Sequence, residues 1–122
     1  MNVPAYRIAV VDDDDQLRRA LARLLRAHGY TPLEFASAEE YLAAGPQVAC
    51  LLLDIDLGGM TGIDLYRQLR AMPGEAPPAI FMTGAGTPAA ERAAAEMACV
   101  AYLAKPVDIN VLLIAIEQAV RR

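Results

Sequence analysis

Short apolar runs alternate with segments of helical periodicity along the whole chain. Ile8, Ala9, Val10 and Val11 form one continuous run, the pattern of a strand covered on both faces. After it, Leu17, Ala20, Leu21, Leu24, Leu25 and His28 keep a spacing of three and four residues, which predicts a helix capped by Asp14 or Asp15 and ended by Gly29. Thr31 to Phe35 reads as a second strand, and Ser37 to Ala44 as a short helix opened by a Ser37/Glu40 capping box and stopped by Gly45-Pro46. Val48 to Leu53 is the third strand. The turn Gly58-Gly59-Met60-Thr61-Gly62 leads to a helix through Leu65, Leu69 and Met72, and the loop Pro73 to Pro78 separates it from a fourth strand, Ala79 to Met82. Thr87 as cap and Pro88 in the first turn open an alanine-rich helix that runs to about Ala98. Val100 to Ala104 is the fifth strand, and Asp108 caps the last helix.

Strands and helices in strict alternation predict an α/β fold: a doubly wound five-stranded parallel sheet with five helices, joined by right-handed crossovers. No linker, repeat or low-complexity tract interrupts it, so residues 1–122 are read as one domain. In the last helix, Ile109, Leu112, Leu113, Ile116 and Val120 are the expected core stripe, with Val111, Ile114 and Ala115 on the opposite side. That apolar back is either a partner surface or a set of isolated surface residues.

Composition narrows the classes. The chain is 56% hydrophobic and 21% charged, and no apolar run approaches the roughly 18 residues of a membrane span. Met1 to Arg7 has neither the basic stretch nor the apolar core of an export signal, so the expected compartment is the cytosol, with Cys50 and Cys99 as reduced structural thiols. A net charge of −4 argues against nucleic acid binding by the domain. Arg18, Arg19, Arg23 and Arg26 fall on the polar side of the first helix, either as a solvated face or as a docking surface for an acidic partner. The lone His28 is placed to ease the helix dipole, and without a second histidine there is no obvious zinc site.

The candidate chemistry comes from the strand ends. A parallel sheet lines up its carboxyl ends along one edge, where open α/β sheets bind ligands. Collected there are Asp12 and Asp13 after the first strand, Asp54 after the third, Thr83 after the fourth and Lys105 after the fifth. Carboxylates this close raise one another's pKa unless a divalent cation with a preference for oxygen, here expected to be Mg²⁺, holds them ionised. A metal, an ammonium and a hydroxyl around one carboxylate are the means of neutralising a phosphoryl group that moves onto it.

With Val-Val-Asp-Asp at 10 to 13, Leu-Leu-Asp at 52 to 54, Met-Thr-Gly at 82 to 84 and Lys-Pro at 105 and 106, nearly the whole chain resembles the receiver domains of two-component response regulators. The helix and turn details resemble the subgroup whose receivers precede helix-turn-helix DNA-binding domains. The resemblance implies a flavodoxin-like strand order 2-1-3-4-5 and a phosphoacceptor switch rather than a turnover enzyme. It implies that Asp54 accepts the phosphoryl group from a phosphohistidine on a sensor histidine kinase. Asp13, Asp54 and the backbone carbonyl of Asp56 would ligate Mg²⁺, with Asp12 holding it through water. Lys105 would pair with the phosphoryl group, joined to Pro106 by a cis peptide, and Thr83 would bond a phosphoryl oxygen in the active state. Tyr102 matches the aromatic switch position; the alternative is an edge-strand aromatic that only packs. The implied partners are the kinase, a second copy docked through the fourth helix, fifth strand and fifth helix, and an output domain or target outside this chain.

Two positions depart from the family pattern. Gly58 replaces a usual proline, which loosens the loop carrying Asp56, and Ala98 replaces a glycine, which predicts an exit from the fourth helix other than a left-handed cap. Two rival readings remain at this point. Asp54-Ile-Asp56 resembles the Asp-x-Asp motif of haloacid-dehalogenase-type phosphatases, although Asp12 and Asp13 come before it rather than after the lysine. The third reading is a receiver-like interaction module that is never phosphorylated.

Overall fold

The apolar runs become strands because two helical layers exclude water from both of their faces. In the computed structural model, which describes residues 5–121, the order is β1 (Arg7–Val11), α1 (Asp15–Ala27), β2 (Thr31–Phe35), α2 (Ala38–Ala44), β3 (Cys50–Asp54), α3 (Gly62–Ala71), β4 (Ala79–Thr83), α4 (Pro88–Glu96), β5 (Ala101–Ala104) and α5 (Ile109–Val120). Residues 1–4, part of the segment read for an export signal, lie outside the described residues. The sheet order is β2-β1-β3-β4-β5 and every neighbouring pair is parallel. This is the expected flavodoxin-like arrangement. Among the described residues no helix is long and apolar enough to cross a membrane.

Alternation along the central strands divides the core in two. Ala9, Val11, Leu51, Leu53, Ala79 and Phe81 pack with Tyr41, Leu65 and Tyr66 on one face. Ile8, Val10, Cys50, Leu52, Ile80 and Met82 pack with Leu21, Leu25, Leu112 and Ile116 on the other. Each large apolar side chain withdrawn from water contributes roughly 2 kcal/mol. Tyr66 meets Phe81 edge to face with ring centroids 5.8 Å apart, and its hydroxyl donates to the Pro77 carbonyl at 2.7 Å. Burial of β1, β3 and β4 makes their carboxyl ends a rigid platform, whereas β2 and β5 are half-exposed edges.

The caps follow the sequence signals closely. Asp14, not Asp15, caps α1, accepting from the amides of Gln16 and Leu17. Ser37, Thr61, Thr87 and Asp108 cap α2, α3, α4 and α5. His28 closes α1 with Nδ1 3.0 Å from the Leu24 carbonyl oxygen. Cys50 is buried and Cys99 half-buried, both free thiols, and burial pushes Cys50 up to about 12.

Three expectations are corrected. Ile109, placed in the core stripe of α5, is 49% exposed, while Ala115, placed on its back, is 4% exposed. The helix therefore buries Leu112, Ala115, Ile116 and Ala119, a stripe at spacings of three, one and three, and Val111 and Ile114 do face outward. Arg18 does not sit on the polar face of α1; it is buried. Ala98 takes the left-handed conformation itself, at φ 54°, so the family's exit from α4 is kept without its glycine.

Candidate functional site

Parallel register sets the site. Val11 lies beside Leu53, Asp54 beside Met82, and Thr83 beside Ala104, so the residues that follow these positions emerge at one edge. Asp12, Asp54 and Thr83 are buried there, at 0%, 2% and 3% exposure, and Asp13 points to solvent.

Asp12 is fixed at each of its polar groups. Its amide donates to the Phe35 carbonyl at 3.1 Å, and its own carbonyl accepts from Arg18 Nη1 at 2.9 Å. Its carboxylate accepts from the Asp14 amide at 2.9 Å and from Lys105 Nζ at 3.0 Å. The same ammonium lies 3.3 Å from Asp54 Oδ1, which also accepts the Asp56 amide at 3.0 Å. Lys105 is carried there from β5: its amide donates to the Thr83 carbonyl at 2.7 Å, and its bond to Pro106 is cis.

Thr83 Oγ1 donates to Asp56 Oδ2 at 3.2 Å and accepts the Ala85 amide at 3.3 Å. The Tyr102 hydroxyl is buried without a hydrogen-bond partner among the described residues. A Cβ added to Gly86 would lie 3.1 Å from that hydroxyl and 3.3 Å from the Thr83 methyl, so the tyrosine reaches inward to the loop that follows Thr83.

Electrostatics single out Asp54. Burial first, then the charge of Asp12, pushes its carboxyl up to about 6, against the opposing pull of the Asp56 amide and Lys105. For Lys105, burial favours the neutral form, yet the bonds and charges of Asp12 and Asp54 outweigh it and raise the ammonium's pKa. One carboxylate oxygen from each of Asp12, Asp13 and Asp54 lies within 4.8 Å of the others. This all-oxygen anionic set fits Mg²⁺, which takes oxygen ligands and would favour the ionised form that burial opposes.

Two contributors were not read from the sequence. Arg18 stands in register with Leu21, Ala22 and Leu25, the buried stripe of α1, and that register was the available signal. Gly62 was seen only as part of a turn. Its amide donates to the Ile55 carbonyl at 3.1 Å, and a Cβ there would collide with the Asp54 backbone carbonyl, so only glycine lets α3 start this close to the phosphoacceptor candidate.

Comparison with known proteins agrees with this geometry. Residues 8–117 match the response regulator receiver domain family. The transcriptional regulatory protein FixJ of Rhizobium meliloti is 32% identical over 116 residues, which are 93% of this chain and 56% of FixJ. Nodulation protein W of Bradyrhizobium diazoefficiens is 36% identical over 94% of this chain and 51% of its own length. The chain thus spans about half the length of the curated relatives it matches. Among solved structures, a CheY-like receiver domain protein from Methanospirillum hungatei superposes with a TM-score of 0.88 at 28% identity, covering 97% of this chain and 95% of that one. A putative response regulator from Chloroflexus aurantiacus gives 0.88 at 30% identity, covering 98% of this chain and 100% of that one. Neither the phosphatase nor the unphosphorylated module is favoured by these likenesses, and the chain belongs to the receiver domain family of two-component response regulators, a signalling switch rather than a turnover enzyme.

Proposed function

We propose that Asp54 of this receiver accepts a phosphoryl group from a phosphohistidine on a sensor histidine kinase. The observation that carries the reading is the single ammonium of Lys105 held between Asp12 and Asp54, 3.0 and 3.3 Å away, at the edge where Asp13 and Thr83 also emerge. Asp54 oxygen forms the new P–O bond as the P–N bond of the phosphohistidine breaks, and the released imidazole takes its proton from solvent.

Asp13, Asp54 and the Asp56 carbonyl hold Mg²⁺ in this proposal, with Asp12 acting through water; the ion would spread the charge of the transferring oxygens. Lys105 stays within reach of Asp54 to bind the arriving phosphoryl oxygens. Thr83 exchanges its bond with Asp56 for one with the phosphoryl group, and the buried Tyr102 follows the space that Thr83 vacates. Phosphorylation replaces the single charge of the Asp54 carboxylate with about 1.5 to 2 negative charges on the phosphoryl oxygens, enough to reset these bonds.

Four broader elements complete the reading. The domain works in the cytoplasm, without contacting nucleic acid itself. A second copy docks through α4, β5 and α5, supported by Val111 and Ile114 at 46% and 59% exposure. The output is an appended domain or a separate target, in keeping with relatives about twice as long. Light scattering with and without beryllium fluoride tests the dimer, and identical monomers in both would exclude it. For the phosphoacceptor, intact mass after acetyl phosphate and Mg²⁺ should rise by one phosphoryl group in the wild type and not in Asp54→Asn; a modified Asp54→Asn protein overturns the assignment.

A further inference from the structure

We infer that Arg18 is a positioning residue for the metal pocket, holding the peptide that joins Asp12 to Asp13; this rests on the receiver reading above. The guanidinium is 10% exposed and fully engaged: Nη1 donates to the Asp12 carbonyl at 2.9 Å, Nη2 lies 2.7 Å from Asp15 Oδ1, and Nε lies 3.4 Å from Glu34 Oε1. Asp15 is in the first turn of α1 and Glu34 is on β2, so the fork of one side chain ties the helix start, the edge strand and the loop between them.

The bond to Asp12 is the one with a functional consequence. The carbonyl of Asp12 and the amide of Asp13 belong to one rigid peptide plane. The amide side of Asp12 is already pinned to Phe35 and its carboxylate to Asp14 and Lys105. Arg18 fixes the remaining freedom, the rotation of the following plane, and with it the direction in which Asp13 leaves the chain. Asp13 has an exposed carboxylate near Asp12 and Asp54 and needs such an outside constraint to meet them. Arginine suits the task because its planar fork serves three acceptors at once, which a lysine ammonium on a flexible stem does not.

The competing explanation is a structural staple between α1 and β2, and it predicts a different pattern among variants. Mg²⁺ titration by calorimetry on wild type, Arg18→Met, Arg18→Lys and Glu34→Gln separates the two, with melting of the metal-free proteins measured alongside. Loss of a group that orients a metal ligand should weaken Mg²⁺ binding about tenfold in Arg18→Met and Arg18→Lys. The Mg²⁺ concentration for half-maximal phosphorylation by acetyl phosphate should rise in step, with the rate at saturating Mg²⁺ retained. Glu34→Gln breaks the charged link to β2 but spares the Asp12 bond, and should keep wild-type affinity even if it melts earlier. Wild-type Mg²⁺ affinity in a folded Arg18 variant, or an equal loss in Glu34→Gln, overturns the inference; if Arg18→Met does not fold, Arg18→Lys decides. A wild type that binds no Mg²⁺ would overturn the proposed phosphoacceptor function, and this inference with it.

Discussion

The Thr83 hydroxyl is committed to the Asp56 carboxylate, 3.2 Å from Oγ1 to Oδ2, and not to Asp54. A hydroxyl has one proton to donate, so Thr83 can bond a phosphoryl oxygen only by leaving Asp56. In the proposed switch the Asp56 side chain would therefore oppose the active state, while its amide donates to Asp54.

Asp56→Ala keeps the backbone groups and removes the competing acceptor. A partly exposed bond of this kind is worth about 1 kcal/mol, enough to shift a two-state equilibrium roughly fivefold. In two-dimensional NMR, the Thr83 methyl and Tyr102 ring signals of the unphosphorylated variant should move toward their positions in wild type treated with beryllium fluoride. Unmoved signals would show that Asp56 does not restrain Thr83.

Gly62→Ala tests the close approach of α3 to β3. The added methyl meets the Asp54 carbonyl, a backbone atom that cannot swing aside. Overpacking of this type costs about 1–3 kcal/mol. Thermal melting should fall accordingly, and phosphorylation by acetyl phosphate should slow because Asp54 is displaced; a variant with wild-type melting and rate contradicts the packing argument.

Ala98→Gly is expected to stabilise. Alanine at φ 54° bears a steric cost of about 1–2 kcal/mol that glycine escapes, partly offset by glycine's greater freedom in the unfolded chain. The net gain should be roughly 0.5–1 kcal/mol in denaturant melts, with phosphorylation unchanged. A loss of stability would mean that the left-handed cap is not at residue 98.

Asp54 also sets a pH dependence. Its folded pKa of about 6 lies above the ordinary 3.8, so between these values the native protein holds a proton that the unfolded chain has released. Stability from this group falls as pH rises through that window and the full penalty is present above it. Because Mg²⁺ favours the ionised form, its stabilising effect on melting should be large at about pH 7.5 and shrink below about pH 5. An Mg²⁺ effect independent of pH across this range, or one retained in full by Asp54→Asn, would contradict the assignment of that proton.

Much of the architecture was legible because it rests on local chemistry. Apolar runs give buried strands, and Asp14, Ser37, Thr87 and Asp108 carry their caps in the sequence, whereas Thr61 was read only as part of a turn. The convergence of Asp12, Asp13, Asp54, Thr83 and Lys105 followed from parallel order alone. What sequence did not reveal depends on tertiary neighbours. Arg18 looks like a surface charge until Asp12, Asp15 and Glu34 surround it. Ile109 keeps helical spacing with the core of α5, but it opens the first turn, where half of it stays exposed. The need for glycine at 62 is visible only once β3 and α3 are placed together.

The most direct test of the account is to locate the phosphoryl group. Wild-type protein treated with acetyl phosphate and Mg²⁺, then reduced with borohydride, converts an aspartyl phosphate to homoserine, and peptide mass spectrometry reads its position. The account predicts conversion at residue 54 alone, abolished when Mg²⁺ is chelated. Conversion at Asp12, Asp13 or Asp56 instead, or none at residue 54 under conditions that label another receiver, would contradict it.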